Sequence, residues 1–241
     1  FNSGPTIFDN KIFAITTSGL AVAVSYDGQL AWTKKGPALD TLLAISASPA
    51  ATKDLLLLPF TGGKLLSVDP KTGLEKWTES IDAQRLGYAR SVFGEISGNP
   101  VIKEERIYFG SLSGQIKALD IDGRLVWSRS IGINGTPIIL DNSVFFISDL
   151  GSLVRLNNEN GDIIWSKKIE SKKKIKSYFG PILAGSNLWV AGSDKKFRGF
   201  DPRTGELNAS IDLRDRPSAP PIYSEERIFI VTTMGDIIAL Q

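Results

Sequence analysis

The sequence contains no cysteine, no histidine and a single methionine. Without cysteine and histidine, Cys–His and Ser–His–Asp nucleophile sites cannot be assembled, and neither can Cys/His zinc sites. Carboxylate, Ser–Lys and calcium chemistry stay open. With no cysteine, disulfides say nothing about redox compartment. There is no run of about 18 apolar residues of the kind that crosses a bilayer as a helix, and no signal-peptide pattern. An excess of one charge sign is also missing. The formal net charge is +2, so there is no electrostatic case for nucleic acid. The longest basic run, Lys172-Lys173-Lys174, reads as a solvated loop.

What is present is a repeat in a chain of 241 residues. Gly28-Gln-Leu-Ala-Trp32, Gly73-Leu-Glu-Lys-Trp77, Gly123-Arg-Leu-Val-Trp127 and Gly161-Asp-Ile-Ile-Trp165 share Gly-x-x-x-Trp. A fifth copy, Gly205-Glu-Leu-Asn-Ala209, keeps the glycine and loses the tryptophan. Two further markers run in phase. Small residues precede Pro5, Pro49, Pro100, Pro137, Pro181 and Pro220. A turn ahead of each motif carries Gly19, Gly63, Gly114 and Gly151, then Lys195 in the fifth copy, with Gly235 in a sixth.

Each unit reads as four strands. In the third, Pro100-Val-Ile, Arg106 to Ser111, Gln115 to Asp120 and Arg124 to Ile131 are strands, separated by Ser113-Gly114 and Asp122-Gly123 turns. Such dipeptides between β-rich runs mark hairpins, because glycine takes the positive φ these turns need. No stretch shows a capped helical period. Repeated four-stranded units of about 40–45 residues predict an all-β propeller of antiparallel blades, each blade burying its faces against the next. Trp32, Trp77, Trp127 and Trp165 are then blade-packing residues, each a large flat side chain with an N–H that needs a partner when buried.

The expected blades of this single domain, residues 1–241, are 1–36, 37–81, 82–131, 132–169, 170–213 and an incomplete 214–241 that stops after its third strand. Phe1 to Pro5 leads straight into a first strand and supplies no missing one. The expectation is therefore of residues upstream of Phe1 and of an eight-bladed ring in the intact protein. A six-bladed ring open by one strand is the alternative.

The segments Ala118 to Trp127 and Ser67 to Trp77 resemble the tryptophan-docking repeat of the PQQ-type propellers, over nearly the whole chain. Residues 85–102, Arg-Leu-Gly-Tyr-Ala-Arg-Ser-Val-Phe-Gly-Glu-Ile-Ser-Gly-Asn-Pro-Val-Ile, resemble the long inter-blade connection of the BamB family, and Thr233 to Gln241 resembles that family's end. The resemblance implies a non-enzymatic, protein-binding scaffold of the outer-membrane β-barrel assembly complex. It implies a lipoprotein at the periplasmic face of the outer membrane, held by a lipid on a cysteine outside this chain. The implied partners are a BamA-like barrel protein and unfolded outer-membrane proteins, for which an exposed sheet edge offers pairing by β-augmentation. No cofactor and no metal are implied. In the family this connection carries acidic contact residues; Glu95 falls at one such place and Ser97 at the other. A second contact segment lies near Leu42 and Leu43, with Ala44 where the family has an arginine.

The residues themselves add weight to the connection at 78–99, which is the longest. It contains Arg85, Tyr88, Arg90, Phe93 and Glu95, and tyrosine and arginine are enriched in binding hot spots. The connection at 166–180 carries Lys167, Lys168, Lys172, Lys173, Lys174 and Lys176 with Tyr178 and Phe179. It reads as a solvated loop, with acidic lipid headgroups or an acidic partner as the alternative. Two other function classes are weighed: a PQQ-like propeller with another periplasmic partner, and a PQQ-dependent dehydrogenase. The dehydrogenase class needs a calcium ion, a catalytic aspartate and commonly adjacent cysteines, which this chain lacks.

Overall fold

A computed structural model describes residues 3–37, 47–81, 95–112, 114–171 and 177–241. Among them there is no helix, and the strands form six antiparallel sheets. Sheet one is β1 (Thr6–Phe8), β2 (Lys11–Ile15), β3 (Leu20–Ser25) and β4 (Leu30–Lys35). Sheet two is β5 (Ala50–Ala51), β6 (Leu56–Phe60), β7 (Lys64–Val68) and β8 (Glu75–Ser80). Sheet three is β9 (Val101–Lys103), β10 (Arg106–Ser111), β11 (Gln115–Asp120) and β12 (Leu125–Arg129). Sheet four is β13 (Ile133–Leu140), β14 (Ser143–Ser148), β15 (Ser152–Asn157) and β16 (Ile163–Lys168). Sheet five is β17 (Tyr178–Ala184), β18 (Asn187–Gly192), β19 (Lys196–Phe200) and β20 (Leu207–Asp212). Sheet six has three strands, β21 (Ile222–Ser224), β22 (Arg227–Val231) and β23 (Ile237–Leu240). Strands pair in sequence order throughout, as a meander of tight turns requires. The chain falls into two compact units, 1–133 and 134–241.

The apolar patterning follows from sheets covered on both faces. In β6 all five residues are buried. Leu56, Leu58 and Phe60 join Phe13, Ile15, Ala21 and Ala23 of sheet one in one core, while Leu57 joins Leu65, Ile107, Phe109 and Leu119 in the next. Alternate residues of a strand point to opposite faces, so a middle strand between two neighbouring sheets must be apolar at every position. In the second unit, Phe145, Ile147 and Leu153 of sheet four meet Leu188, Val190 and Phe200 of sheet five. Ala191, Phe197 and Leu213 meet Ile228 and Ile230 of sheet six. The fourth strands are half exposed, with alternating burial in β16 and β20.

The proline marker behaves differently in two sheets. Pro137 and Pro181 lie inside β13 and β17, whose starts fall four and three residues earlier than a strand opening at the proline. A proline has no N–H to give to a ladder. It is accommodated because each first strand is an edge strand, paired on one side only.

Candidate functional site

The Gly-x-x-x-Trp motif works between copies. Trp32, Trp77 and Trp165 each dock on the glycine of the next sheet's third-to-fourth turn. A Cβ placed on Gly73 would lie 2.7 Å from the Trp32 ring, one on Gly123 2.6 Å from the Trp77 ring, and one on Gly205 2.9 Å from the Trp165 ring. These glycines also have φ of +72°, +83° and +72°, so the residue is fixed twice over, by backbone and by space. The Trp32 indole N–H donates to the Pro70 carbonyl at 3.1 Å, and that of Trp77 to Ile121 at 3.0 Å, both in the docked turn. The turns are held open by a capping side chain. Asp69 Oδ1 accepts the N–H groups of Lys71 and Thr72 at 2.9 and 2.8 Å, and Asp201 Oδ1 those of Arg203 and Thr204 at 2.6 and 3.0 Å. Hydrogen bonding to the ionised form, chiefly from Thr72 and from Thr204, holds both carboxyls below their ordinary value.

Three of the tryptophans lean on an aromatic of their own second strand. Ring centroids are 6.0 Å apart for Phe13–Trp32, 6.2 Å for Tyr108–Trp127 and 5.9 Å for Phe145–Trp165. Between the rings, on the third strand, stand Ala23, Ala118 and Arg155. Arg155 reaches the docked turn itself, donating to the Arg203 carbonyl at 3.2 Å, and the Trp165 N–H is left buried with no acceptor.

Two of the expected contact residues can be placed. Glu95 Oε1 accepts the Gly62 N–H at 2.9 Å, tying the long connection to the turn between β6 and β7. Burial pushes its carboxyl above the usual value, and the Gly62 N–H offsets this only in part. The Ser97 N–H donates to the Gly110 carbonyl at 3.0 Å, and its hydroxyl donates to the Ile133 carbonyl at 2.6 Å. Ile96, between them, is 2% exposed and sits in the core of sheets two and three. The end of this connection is therefore tied by Glu95 to the turn between β6 and β7 and by Ser97 to β10 and β13. Leu42, Leu43, Arg85, Tyr88, Arg90 and Phe93 lie outside the described residues.

A sizeable cleft lies elsewhere. It encloses about 1000 Å³ in the second unit and is lined by Ile169, Tyr178, Lys195, Arg198, Leu207 and Leu213 among others. Its signal in the sequence is the fifth turn copy, where Lys195 stands in place of glycine. Among the described residues no group of three or more Asp or Glu comes together in a metal-binding arrangement.

A family profile described as "Outer membrane protein assembly factor BamB" matches residues 1–167 and again 104–241, together the whole chain. The chain belongs to the BamB family. The BamB of Legionella pneumophila is 25% identical over 202 residues, covering 80% of this chain and 50% of that protein. The BamB of Moranella endobia is 21% identical over 241 residues, covering 99% of this chain and 61% of its own length. The chain thus spans about half the length of the BamB relatives it matches. The crystal structure of BamB from Moraxella catarrhalis superposes with a TM-score of 0.85 at 20% identity, over 98% of this chain and 71% of that one. The fold is thus the β-propeller type of BamB, and the six sheets are its blades. The quinohemoprotein alcohol dehydrogenase of Comamonas testosteroni shares the fold at a TM-score of 0.67 and 14% identity, over 99% of this chain and 45% of that one.

Proposed function

We propose that this chain is a non-enzymatic protein-binding scaffold acting in outer-membrane β-barrel assembly, at the periplasmic face of the outer membrane and tethered there by a lipid outside this chain. The observation that carries this reading is the BamB profile running across both compact units. Its site is the end of the long connection. Glu95 and Ser97 are held by backbone groups of a neighbouring turn and of β13, and loops fixed on a rigid scaffold are where binding residues concentrate. On this reading Leu42, Leu43, Arg85, Tyr88, Arg90 and Phe93 complete a surface for a BamA-like barrel protein, and unfolded outer-membrane proteins are further clients.

The test is pull-down of a periplasmic fragment of the barrel protein by the chain, repeated with Arg90→Glu and with Glu95→Arg. Retention of the fragment, lost or weakened in both variants, supports the scaffold. Unchanged binding in both variants removes the proposed surface. Because the fold is shared with a quinohemoprotein dehydrogenase, a second measurement adds PQQ and calcium to the protein. Retained quinone absorbance after desalting would overturn the scaffold reading.

A further inference from the structure

Sheet four departs from the repeat on its third strand. The matching position in the other sheets holds a small residue: Ala23, Ser67, Ala118, Gly199 or Ala239. In sheet four it holds Arg155. The small residues lie in register between two rings, Ala23 between Phe13 and Trp32 and Ala118 between Tyr108 and Trp127. Arg155 takes the same place between Phe145 and Trp165.

The arginine works against the packing of its own sheet. The docked turns Asp69-Pro-Lys-Thr-Gly73 and Asp201-Pro-Arg-Thr-Gly205 differ only by lysine for arginine. Trp32 donates its N–H to the Pro70 carbonyl of the first turn at 3.1 Å. Trp165 docks on the glycine of the second, yet its buried N–H has no acceptor. What differs between the two places is Arg155 where sheet one has Ala23. A buried donor left unsatisfied is destabilising. So is a half-buried guanidinium with no carboxylate beside it, and among the described residues no carboxylate pairs with Arg155. A break in the repeat that the fold does not reward points to use by something outside the fold.

The guanidinium is held ready. Its Nε donates to the buried Ser143 hydroxyl at 2.9 Å and its Nη1 to the Arg203 carbonyl at 3.2 Å. Its Cζ stands 5.6 Å from the centroid of the Phe145 ring. Its Nη2 has no hydrogen-bond partner among the described residues. The side chain lines a cleft of about 450 Å³ between sheets four and five, with apolar walls of Leu140, Leu183 and Pro202. Asp141 and Asp201 also line it. Asp201 gives Oδ1 to the N–H groups of its own turn, and its charge is offset by Arg203. Asp141 is exposed on the turn between β13 and β14.

We propose that this cleft binds a carboxylate carried on an apolar group, with the carboxylate on Arg155 and the apolar part against Leu140, Leu183 and Pro202. A planar guanidinium fits a carboxylate bidentately. Apolar walls with a few placed polar groups are the usual make-up of a small-molecule site. A free organic acid and the C-terminus of a peptide share this chemistry. The site does not depend on the partner surface proposed above.

The test is a ligand-observed NMR titration of the whole chain with phenylacetate and phenylacetamide, and with the tripeptide Ala-Leu-Leu bearing a free or an amidated C-terminus. The expected result is binding of either acid and of neither amide. Phenylacetate alone would identify a free organic acid, and the tripeptide alone a chain terminus. Arg155→Lys keeps the charge and loses the planar fork, and should weaken binding about tenfold, the loss of one charge-assisted hydrogen bond. Arg155→Ala restores the residue of sheets one and three. It should abolish binding with the melting temperature unchanged or raised, because the Trp165 N–H regains a carbonyl of the docked turn. No binding of either acid, equal binding of the amides, or unchanged affinity in Arg155→Lys would overturn the site. A marked fall in the melting temperature of Arg155→Ala would overturn it too, since the guanidinium would then be a structural prop.

Discussion

A side chain's cost at a given backbone conformation depends on what it meets. Gly28 and Gly123 hold the same place in their turns, with φ of +85° and +83°. A Cβ at Gly28 meets nothing within 4 Å, whereas one at Gly123 meets the Trp77 ring. Gly28→Ala is therefore expected to cost about 1 kcal/mol, the left-handed penalty alone. Gly123→Ala should cost about 2 kcal/mol more, the cost of forcing extra volume into a packed site. Chemical denaturation of the two variants measures the difference, and equal losses would deny that the tryptophan docks there. Asp194 gives the second residue-scale outcome. Burial favours its neutral form, but the Arg198 hydrogen bonds, with those of Ser171, outweigh this and hold its carboxyl below the ordinary value. A depressed carboxyl stabilises the fold above its unfolded-state pKa, and that contribution is lost as pH falls through the folded value. Unfolding midpoints are expected to drop below about pH 4, near the ordinary aspartate value. Asp194→Asn should be less stable at pH 7, by roughly 3–5 kcal/mol for a buried pair broken on one side. It should also show a shallower acid slope in thermal melts across that range.

At the scale of the element, the fifth sheet moves the indole that the first four carry on the fourth strand. Sheets one, three and four place an aromatic on the second strand beside the fourth-strand tryptophan. In sheet five the fourth strand has Ala209, the third has Gly199, and the second has Trp189 in the same register. The ring covers Gly199, stacks on Phe197 at 4.7 Å and donates its N–H to the Ala184 carbonyl at 3.2 Å. The volume lost with the repeat's tryptophan is thus refilled from within the same sheet. Trp189→Ala is expected to cost about 3–5 kcal/mol, the range for a large aromatic removed from a core, as measured by urea denaturation. A loss below about 1 kcal/mol would show that the ring does not fill this layer. The four-strand reading of the third unit matches the observed strands closely, because turn glycines and alternating apolar residues are local signals. Trp189 was invisible to the same reading, since it sits outside the Gly-x-x-x-Trp register and its role depends on Gly199 and Ala209 across two ladders. Glu95 shows the same limit: its partner, Gly62, is set by how two sheets meet and not by sequence spacing.

For the molecule as a whole, the repeat explains the fold more completely than it explains function. The docking of Trp32, Trp77 and Trp165 on the next copy's glycine ties neighbouring sheets within each unit together, which is why one motif recurs along the chain. The surface proposed for a partner lies where copies differ, at the long connection ending at Glu95 and Ser97. Membership of the BamB family is what supports the proposed scaffold, since the propeller fold is shared with a quinohemoprotein dehydrogenase. The most direct measurement is the affinity of this chain for a periplasmic fragment of the outer-membrane barrel-assembly protein, by isothermal titration calorimetry, with Glu95→Arg as the paired variant. The account predicts saturable binding that Glu95→Arg weakens about tenfold or more, the lower range for reversing a charge at a contact. No binding by the parent chain, or identical affinity in the variant, would contradict it.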